Sequence, residues 1–426
     1  MKGAIGGFEP GASSTFHYDV LPEHLRKHYA AIRKAMIGYE GSIRIGKELT
    51  ADECFGLVEA VLYDNPQIFW MNTGCGCSIG KGSTTISFMK NRFGKDRERL
   101  KRIIVANAEE IYRKHVEGLR DAGGIELAVH DVLAAKVSYD GTDKESSHCL
   151  VGPLVEKKGV CEGISKAAAF LLNAFGVESA VVTGRSVQDG EPHAWNTVRL
   201  GREWYNTDVT FDLRKGAGGR TRFYLDMDDA MAGRTHELRH AGRCRSKRQN
   251  HYVRNGTYFG TAEEASRYIS GCDPPLSDGK DLYDVYIEED CDGREVMRAL
   301  TRRYAGQPVT ITLASSGGRF LASVRRRRDG QEGEVRQAFP DDRQGGSGRE
   351  PAEAVQRDDG PQVRREGREH GMVPEPVRAR GPLRGRIGKD EGHREDGGRG
   401  IGQDHAGPGE AQLVPRRHRR RWARQA

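Results

Sequence analysis

Residues 193–212 read His193-Ala194-Trp195-Asn196-Thr197-Val198-Arg199-Leu200-Gly201-Arg202-Glu203-Trp204-Tyr205-Asn206-Thr207-Asp208-Val209-Thr210-Phe211-Asp212. Two runs suited to strands flank Gly201-Arg202, and glycine at the first central position of a two-residue turn is a hairpin signature. Counting outward from that turn, Leu200 faces Glu203 and Trp195 faces Asp208. His193 then faces Thr210, on the same side of the hairpin as Trp195, Asn206 and Asp208. Diagonal neighbours on one face lie about 7–8 Å apart, a gap that His and Asp side chains bridge. Asp208 and Asp212 are both diagonal to His193, so parity leaves the two open; strand register or a bulge decides between them.

Upstream, Gly159-Val160-Cys161-Glu162-Gly163 marks the change from loop to helix. Ile164, Ala168, Leu171, Leu172 and Phe175 recur at helical spacing, and Gly176 ends the run. A thiol in the first turn lies beside unpaired backbone N–H groups and the positive end of the helix dipole, and both favour thiolate. The same N–H groups can hold an oxyanion, with the amide of Cys161 first among them. A cysteine at a helix start is equally compatible with an inert buried thiol. The histidine and aspartate of the hairpin supply what is missing for a nucleophilic Cys-His-Asp set.

Composition narrows the remaining choices. The chain has 426 residues, 36% of them hydrophobic, with a net charge of +7 and a mean hydropathy of -0.70. From Arg325 onward it holds 23 Arg, one Lys, 18 acidic residues, no Cys or Tyr, and two aromatics, Phe339 and Trp422. Such a segment cannot bury enough apolar surface to offset the entropy of ordering it, so a disordered tail is expected. The preceding residues carry 44 basic and 43 acidic side chains. A fold that grips nucleic acid specifically through its charge is therefore not indicated. The strong preference for Arg over Lys, against 17 Lys in the first 324 residues, reads more like a GC-rich gene translated out of frame than a selected RNA-binding arm. Eight cysteines show no Cys-x-x-Cys pair, and Cys75-Gly76-Cys77 lacks a matching partner, so neither a disulfide framework nor a zinc module is expected. Gly80-Lys81-Gly82-Ser83 lacks the glycine spacing of a phosphate loop, and no calcium-loop spacing occurs. No apolar run approaches the roughly 18 residues that span a bilayer, and no leader is evident. The expectation is a cytoplasmic protein without a transmembrane segment, or a cell-surface or secreted one should the true start lie upstream.

Periodicity predicts helices over about Tyr18 to Gly38, Thr50 to Tyr63 with a Thr50/Glu53 capping box, Arg97 to Ala122, and Ile125 to Val137. It predicts a short buried strand at Ile68 to Met71, a glycine loop over Gly74 to Gly82, and a strand from Thr84 to Met89. His130 with Asp131, and His148 with Cys149, read as structural side chains. Strands at Leu282 to Ile287 and Val309 to Leu313 surround a helix from Arg294 to Tyr304.

Taken together, Gly159-Val160-Cys161-Glu162-Gly163, Val181-Val182-Thr183-Gly184, His193-Ala194-Trp195-Asn196 and Trp204-Tyr205-Asn206-Thr207-Asp208 resemble the bacterial transglutaminase-like superfamily. Val129-His130-Asp131-Val132-Leu133, Phe223-Tyr224-Leu225-Asp226 and Arg234-Thr235-His236 continue the resemblance, and Asp64 to Trp70 resembles an N-terminal extension often joined to it. The resemblance implies an α+β, papain-like core in which a nucleophile helix packs on an antiparallel sheet, with a helical N-terminal extension. It implies Cys161 as nucleophile, His193 as general base and acid, and Asp208 as the residue orienting the imidazole, with Trp195 and Trp204 as wall or core. The implied reaction is acyl transfer from a protein or peptide amide through a Cys161 thioester to an amine or to water, with no cofactor or metal. A catalytically silent interaction module is the alternative, and the complete Cys-His-Asp set argues against it. Nothing in the pattern sets an oligomeric state. The expected organisation is an N-terminal helical/β extension over 1–105, the catalytic core over 106–260, a small α/β extension over 261–324, and the tail over 325–426.

Overall fold

The computed structural model describes residues 13–213, 222–271, 282–288 and 293–326, with the short stretches 336–337 and 412–413. Past Arg326 the expected disordered tail lies outside the described residues, those two stretches apart.

The helix expected from Tyr18 to Gly38 is broken at Leu21-Pro22 into α1 (Phe16–Val20) and α2 (Glu23–Ile37). Leu21 is extended, with ψ 142°, because the residue before a proline is kept out of helical geometry. Leu25, Tyr29, Ile32 and Met36 of α2 are buried as their spacing requires. After β1 (Ser42–Ile45), α3 (Ala51–Asp64) begins at the expected capping box, with the Glu53 carboxylate accepting from the Thr50 amide at 2.8 Å. β2 (Met71–Gly80) and β3 (Ser83–Lys90) then form a hairpin that β1 extends on the β3 side. The glycine loop and the strand at Ile68 to Met71 are thus corrected: Ile68 to Trp70 lie outside the strand, which begins at Met71 and runs through Gly74, Gly76 and Gly80, so that the turn is confined to Lys81-Gly82. Gly74 lies under Met89, where a Cβ would come 2.5 Å from the sulfur, next to a register shift between Met71 and Cys75. Here glycine marks a close approach within a strand, not a loop.

α4 (Arg97–Ile111) runs on into a wide π turn that closes at Val116, short of the expected Ala122, and α5 (Ala122–Lys136) starts on an Asp121 cap. β4 (Ser138–Tyr139) and β5 (Lys158–Gly159) pair in parallel around the segment bearing His148 and Cys149. α6 (Cys161–Ala174) follows at once, and Ile164 to Leu172 are buried without interruption. This helix packs on β6 (Ser179–Ser186) and β7 (Pro192–Leu200). β8 (Glu203–Thr207) pairs with β7 through a turn in which Gly201 has φ +68°, and the register runs from Leu200↔Glu203 to Asn196↔Thr207 as counted from the sequence. It stops there. The expected facing pairs Trp195 with Asp208 and His193 with Thr210 do not form, because the Asp208 side chain accepts the Thr210 and Phe211 amides and turns the chain away.

Beyond α7 (Asp229–Ala232), β9 (His236–Leu238) completes an antiparallel sheet in the order β8-β7-β6-β9. The chain continues through α8 (His251–Arg254), β10 (Tyr258–Phe259), α9 (Ala262–Gly271), β11 (Leu282–Ile287), α10 (Arg294–Arg303), β12 (Val309–Ser316) and β13 (Arg319–Arg326). β13, which the sequence reading did not single out, pairs antiparallel with both β11 and β12. No helix among the described residues is long and apolar enough to cross a membrane.

Candidate active site

Cys161 is the first residue of α6, half-buried, behind an N-cap residue, Val160, whose side chain makes no cap hydrogen bond. The glycines on either side are there for packing. A Cβ on Gly163 would lie 2.0 Å from the Ser147 carbonyl oxygen, and one on Gly159 would lie 2.9 Å from Pro153 Cγ. The Val160 amide also donates to Ser147 O at 3.1 Å. The segment before the helix is thereby clamped against its first turn, which fixes where the thiol stands.

Glu162, next in the chain, would by its charge oppose a thiolate. It is compensated locally: Lys166 Nζ donates to it at 2.9 Å and His148 Nδ1 lies 3.0 Å from its other oxygen. His148 thus serves a structural pair, as the sequence suggested. Burial pushes the Cys149 thiol up to about 11 and those of Cys54 and Cys75 to about 12. Beside Cys161 stands the imidazole of His193.

His193 sits on β7 opposite Gly184. Its ring stacks on Phe211 with centroids 4.3 Å apart and planes at 15°. Nε2 meets Asp208 Oδ2 at 2.6 Å, which leaves Nδ1 for the thiol. Burial by itself pushes this imidazole down, but the Asp208 charge and hydrogen bond, with Cys161 beside it, prevail and raise it to about 10. Burial likewise opposes ionisation of Asp208, yet His193 and His236 hold its carboxyl well below the usual range. The site therefore favours an imidazolium–carboxylate pair beside the Cys161 sulfur.

The structure separates the two aspartates that hairpin parity left equivalent. Asp212 accepts from His130 Nε2 at 3.1 Å and from the Phe223 and Tyr224 amides, each at 2.9 Å. His130 also meets Asp131, which Arg222 binds through two nitrogens at 2.7 and 3.1 Å. This second network ties α5 to the segment at 222–224. Trp195 is buried with its Nε1 donating to Asn206, and partly buried Trp204 packs on Phe16.

One residue of the cluster had no role in the sequence reading. His236 Nε2 meets Asp208 Oδ2 at 3.1 Å, on the oxygen that His193 already holds. Arg234-Thr235-His236 entered the sequence reading only as part of the resemblance, without a role, since His236 reaches Asp208 28 residues on in the chain by pairing Ser186 of β6. Among the described residues, His193, Asp208 and His236 are also the one group of three metal-capable side chains, with ligand atoms within 4.8 Å of one another. Their mutual hydrogen bonds account for that closeness without an ion.

Residues 110–209, which include Cys161, His193 and Asp208, match the family model of the transglutaminase-like superfamily. Among solved structures, "Crystal structure of a TGase" is 16% identical over 43% of this chain and 54% of that one, with a TM-score of 0.24. A structure described as a "Putative Cysteine Protease from Cytophaga hutchinsonii" is 14% identical over 31% and 55%, with a TM-score of 0.23. One from Parabacteroides distasonis, described as a "putative protease", is 7% identical over 61% and 62%, with a TM-score of 0.20. The chain thus spans about half the length of the first two, 54% and 55%. No curated protein matches.

Proposed function

We propose, on the premise that this protein carries a transglutaminase-like core, that it is a cysteine acyltransferase or hydrolase acting on carboxamides of proteins or peptides. The observation that carries this reading is the 2.6 Å contact between buried His193 and Asp208, with the Cys161 thiol at a helix start beside the imidazole. A buried ion pair that touches a half-exposed thiol is costly as decoration and useful as an acid–base relay.

The steps follow from the donors present. With its proton held on His193, the Cys161 sulfur attacks the carboxamide carbon as thiolate, forming a C–S bond as the carbonyl electrons move to oxygen. The uncapped amides at the start of α6, that of Cys161 first, stabilise this oxyanion. Collapse breaks the C–N bond, and the departing amine takes the proton from His193. The thioester is then attacked by a second nucleophile, which yields its proton to His193 as the C–S bond breaks and the thiolate returns. An amine in this role makes the protein a transglutaminase, and water makes it an amidase or protease. Asp208 keeps the imidazole turned toward the sulfur and balances its charge throughout.

The test is amine incorporation and peptide hydrolysis by the wild type and Cys161→Ala, side by side. Loss of one or both activities in the variant is expected, and the activity lost names the acceptor. Equal rates in the two proteins would leave the fold as a non-catalytic interaction module.

A further inference from the structure

Asp208 is held by four donors. Oδ1 accepts the amides of Thr210 and Phe211 at 2.8 and 3.2 Å, and Oδ2 faces the imidazoles of His193 and His236 at 2.6 and 3.1 Å. His236 is 1% exposed, so no substrate reaches it, and whatever it does it does through Asp208. Burial first, and the charge of His193 with it, favour the neutral form of His236 despite the pull of Asp208. With Nε2 on Asp208, its Nδ1 lies between the Thr235 hydroxyl at 2.9 Å and the Ala232 carbonyl at 3.2 Å, so both ring nitrogens are anchored.

Thr235 is wedged in turn. Its carbonyl accepts from the Val187 amide at 3.0 Å, and the tip of the β12–β13 hairpin lies close to its Cγ2. At that tip Gly317 has φ +57°, and a Cβ there would come 3.0 Å from Thr235 Cγ2 and 3.1 Å from Arg234 Cβ. Both the backbone angle and the space call for glycine. The hairpin belongs to a part of the chain that supplies no group to the reacting centre.

We propose that His236 is a positioning residue, that it fixes the Asp208 carboxylate and through it the His193 imidazole, and that the glycine tip of the β12–β13 hairpin holds His236 in place. The role is defined relative to the acyl-transfer reading above, so its test needs a readout that does not depend on turnover. Titration of His193 followed by NMR in ¹⁵N-histidine-labelled full-length protein provides one, beside kcat and KM.

His236→Ala should cut kcat about 10- to 100-fold with KM within about twofold, the usual scale for losing a group that orients a working side chain. The His193 titration should fall by at least about one pH unit toward the ordinary histidine value, as the pair with Asp208 loosens. His236→Gln, whose amide can still donate to Oδ2, should recover most of both. Gly317→Ala should reproduce the pattern in weaker form while His236 itself is intact. The proposal is overturned if His236→Ala keeps the wild-type His193 titration, or if both histidine variants lose activity alike. A purely structural role is likewise the answer if Gly317→Ala lowers the melting temperature and leaves kcat and the His193 titration unmoved. Should the wild type prove inactive, the acyl-transfer reading fails on its own, and the titrations still decide whether His236 sets the state of His193.

Discussion

Asp208 and Asp212 are both fully buried and both accept several hydrogen bonds, but only Asp208 faces a histidine that in turn faces a thiol. Their amide variants should therefore fail differently. Asp208→Asn removes the charge that balances His193 and should lower kcat by about 10²–10⁴, the range for losing acid–base assistance, with the fold retained. Asp212→Asn leaves His130 short of a buried counter-charge and should cost about 3 kcal/mol of stability by urea denaturation, with kcat of the folded protein little changed. If Asp212→Asn instead matched Asp208→Asn in rate, the assignment of the two networks would be wrong. The His193–Asp208 pair also has a pH signature. Folding raises the His193 pKa from 6.5 to about 10, so its stabilising contribution is complete below 6.5 and disappears as pH rises through about 10. Folding depresses Asp208 below 3.8, so the contribution also fades as pH falls below that value. The stability gap between wild type and His193→Gln should be widest between about pH 4 and 6.5 and close above about 10. A gap that widened with alkali would contradict a charged pair. Hairpin parity brought His193 to one face with two candidate aspartates, because Gly201 sets the turn and the turn sets the register. It could not choose between them because the Asp208 side chain itself ends the strand.

Elements were legible where one local device decides them. The Thr50 capping box, the α6 stripe and the Gly201 turn are each contained within a few residues, and each forms where its spacing predicts. Legibility failed where a distant residue decides. Gly74 reads as a loop until Met89 is known to lie over it, and the place of β9 in the sheet is set by its pairing with β6. Gly163 belongs to the same class, since its requirement comes from Ser147 on the segment before the helix. Gly163→Ala places a methyl 2.0 Å from a backbone oxygen, which cannot rotate aside as the end of a side chain would. The start of α6 must shift. Overpacking of this kind costs about 1–3 kcal/mol, and here the displaced turn carries Cys161. The expected result is a lower urea midpoint together with a loss of kcat that persists under conditions where the variant is folded. Lowered stability with wild-type kcat would mean that the thiol does not depend on that clamp.

At the scale of the whole molecule, the sheet formed by β11, β12 and β13 works on both faces. Alternation along its strands turns Val285, Ile287, Ala322 and Val324 toward α9 and α10, and turns Tyr286 and Leu321 into a cluster with Phe223, Tyr224, Met227, Met231 and Tyr252. Polar contacts follow the same seam. Tyr224 donates to Ser316 Oγ at 2.6 Å, and buried Arg319 donates to the Tyr286 hydroxyl at 3.0 Å while lying 5.2 Å from the Phe223 ring. Separating this sheet from the part of the chain that carries Phe223 to Tyr252 would expose a shared apolar cluster and strand a guanidinium, so the two should unfold together. Tyr286→Ala probes the seam without touching the reacting groups. Loss of a buried aromatic costs about 3–5 kcal/mol, which for a cooperative unit of this size corresponds to a midpoint roughly 6–15 °C lower. Tryptophan fluorescence reads the core through buried Trp70 and Trp195 with Trp204, Trp422 being replaced by Phe to remove its signal, and hydrogen exchange of the 309–326 peptide reads the sheet. In the wild type both should report one transition, and in Tyr286→Ala both should move down by the same amount. A variant in which 309–326 exchanges early while the tryptophan transition stays at the wild-type temperature would mean that the sheet is an independent domain, and the wedge at Gly317 would then have nothing firm behind it.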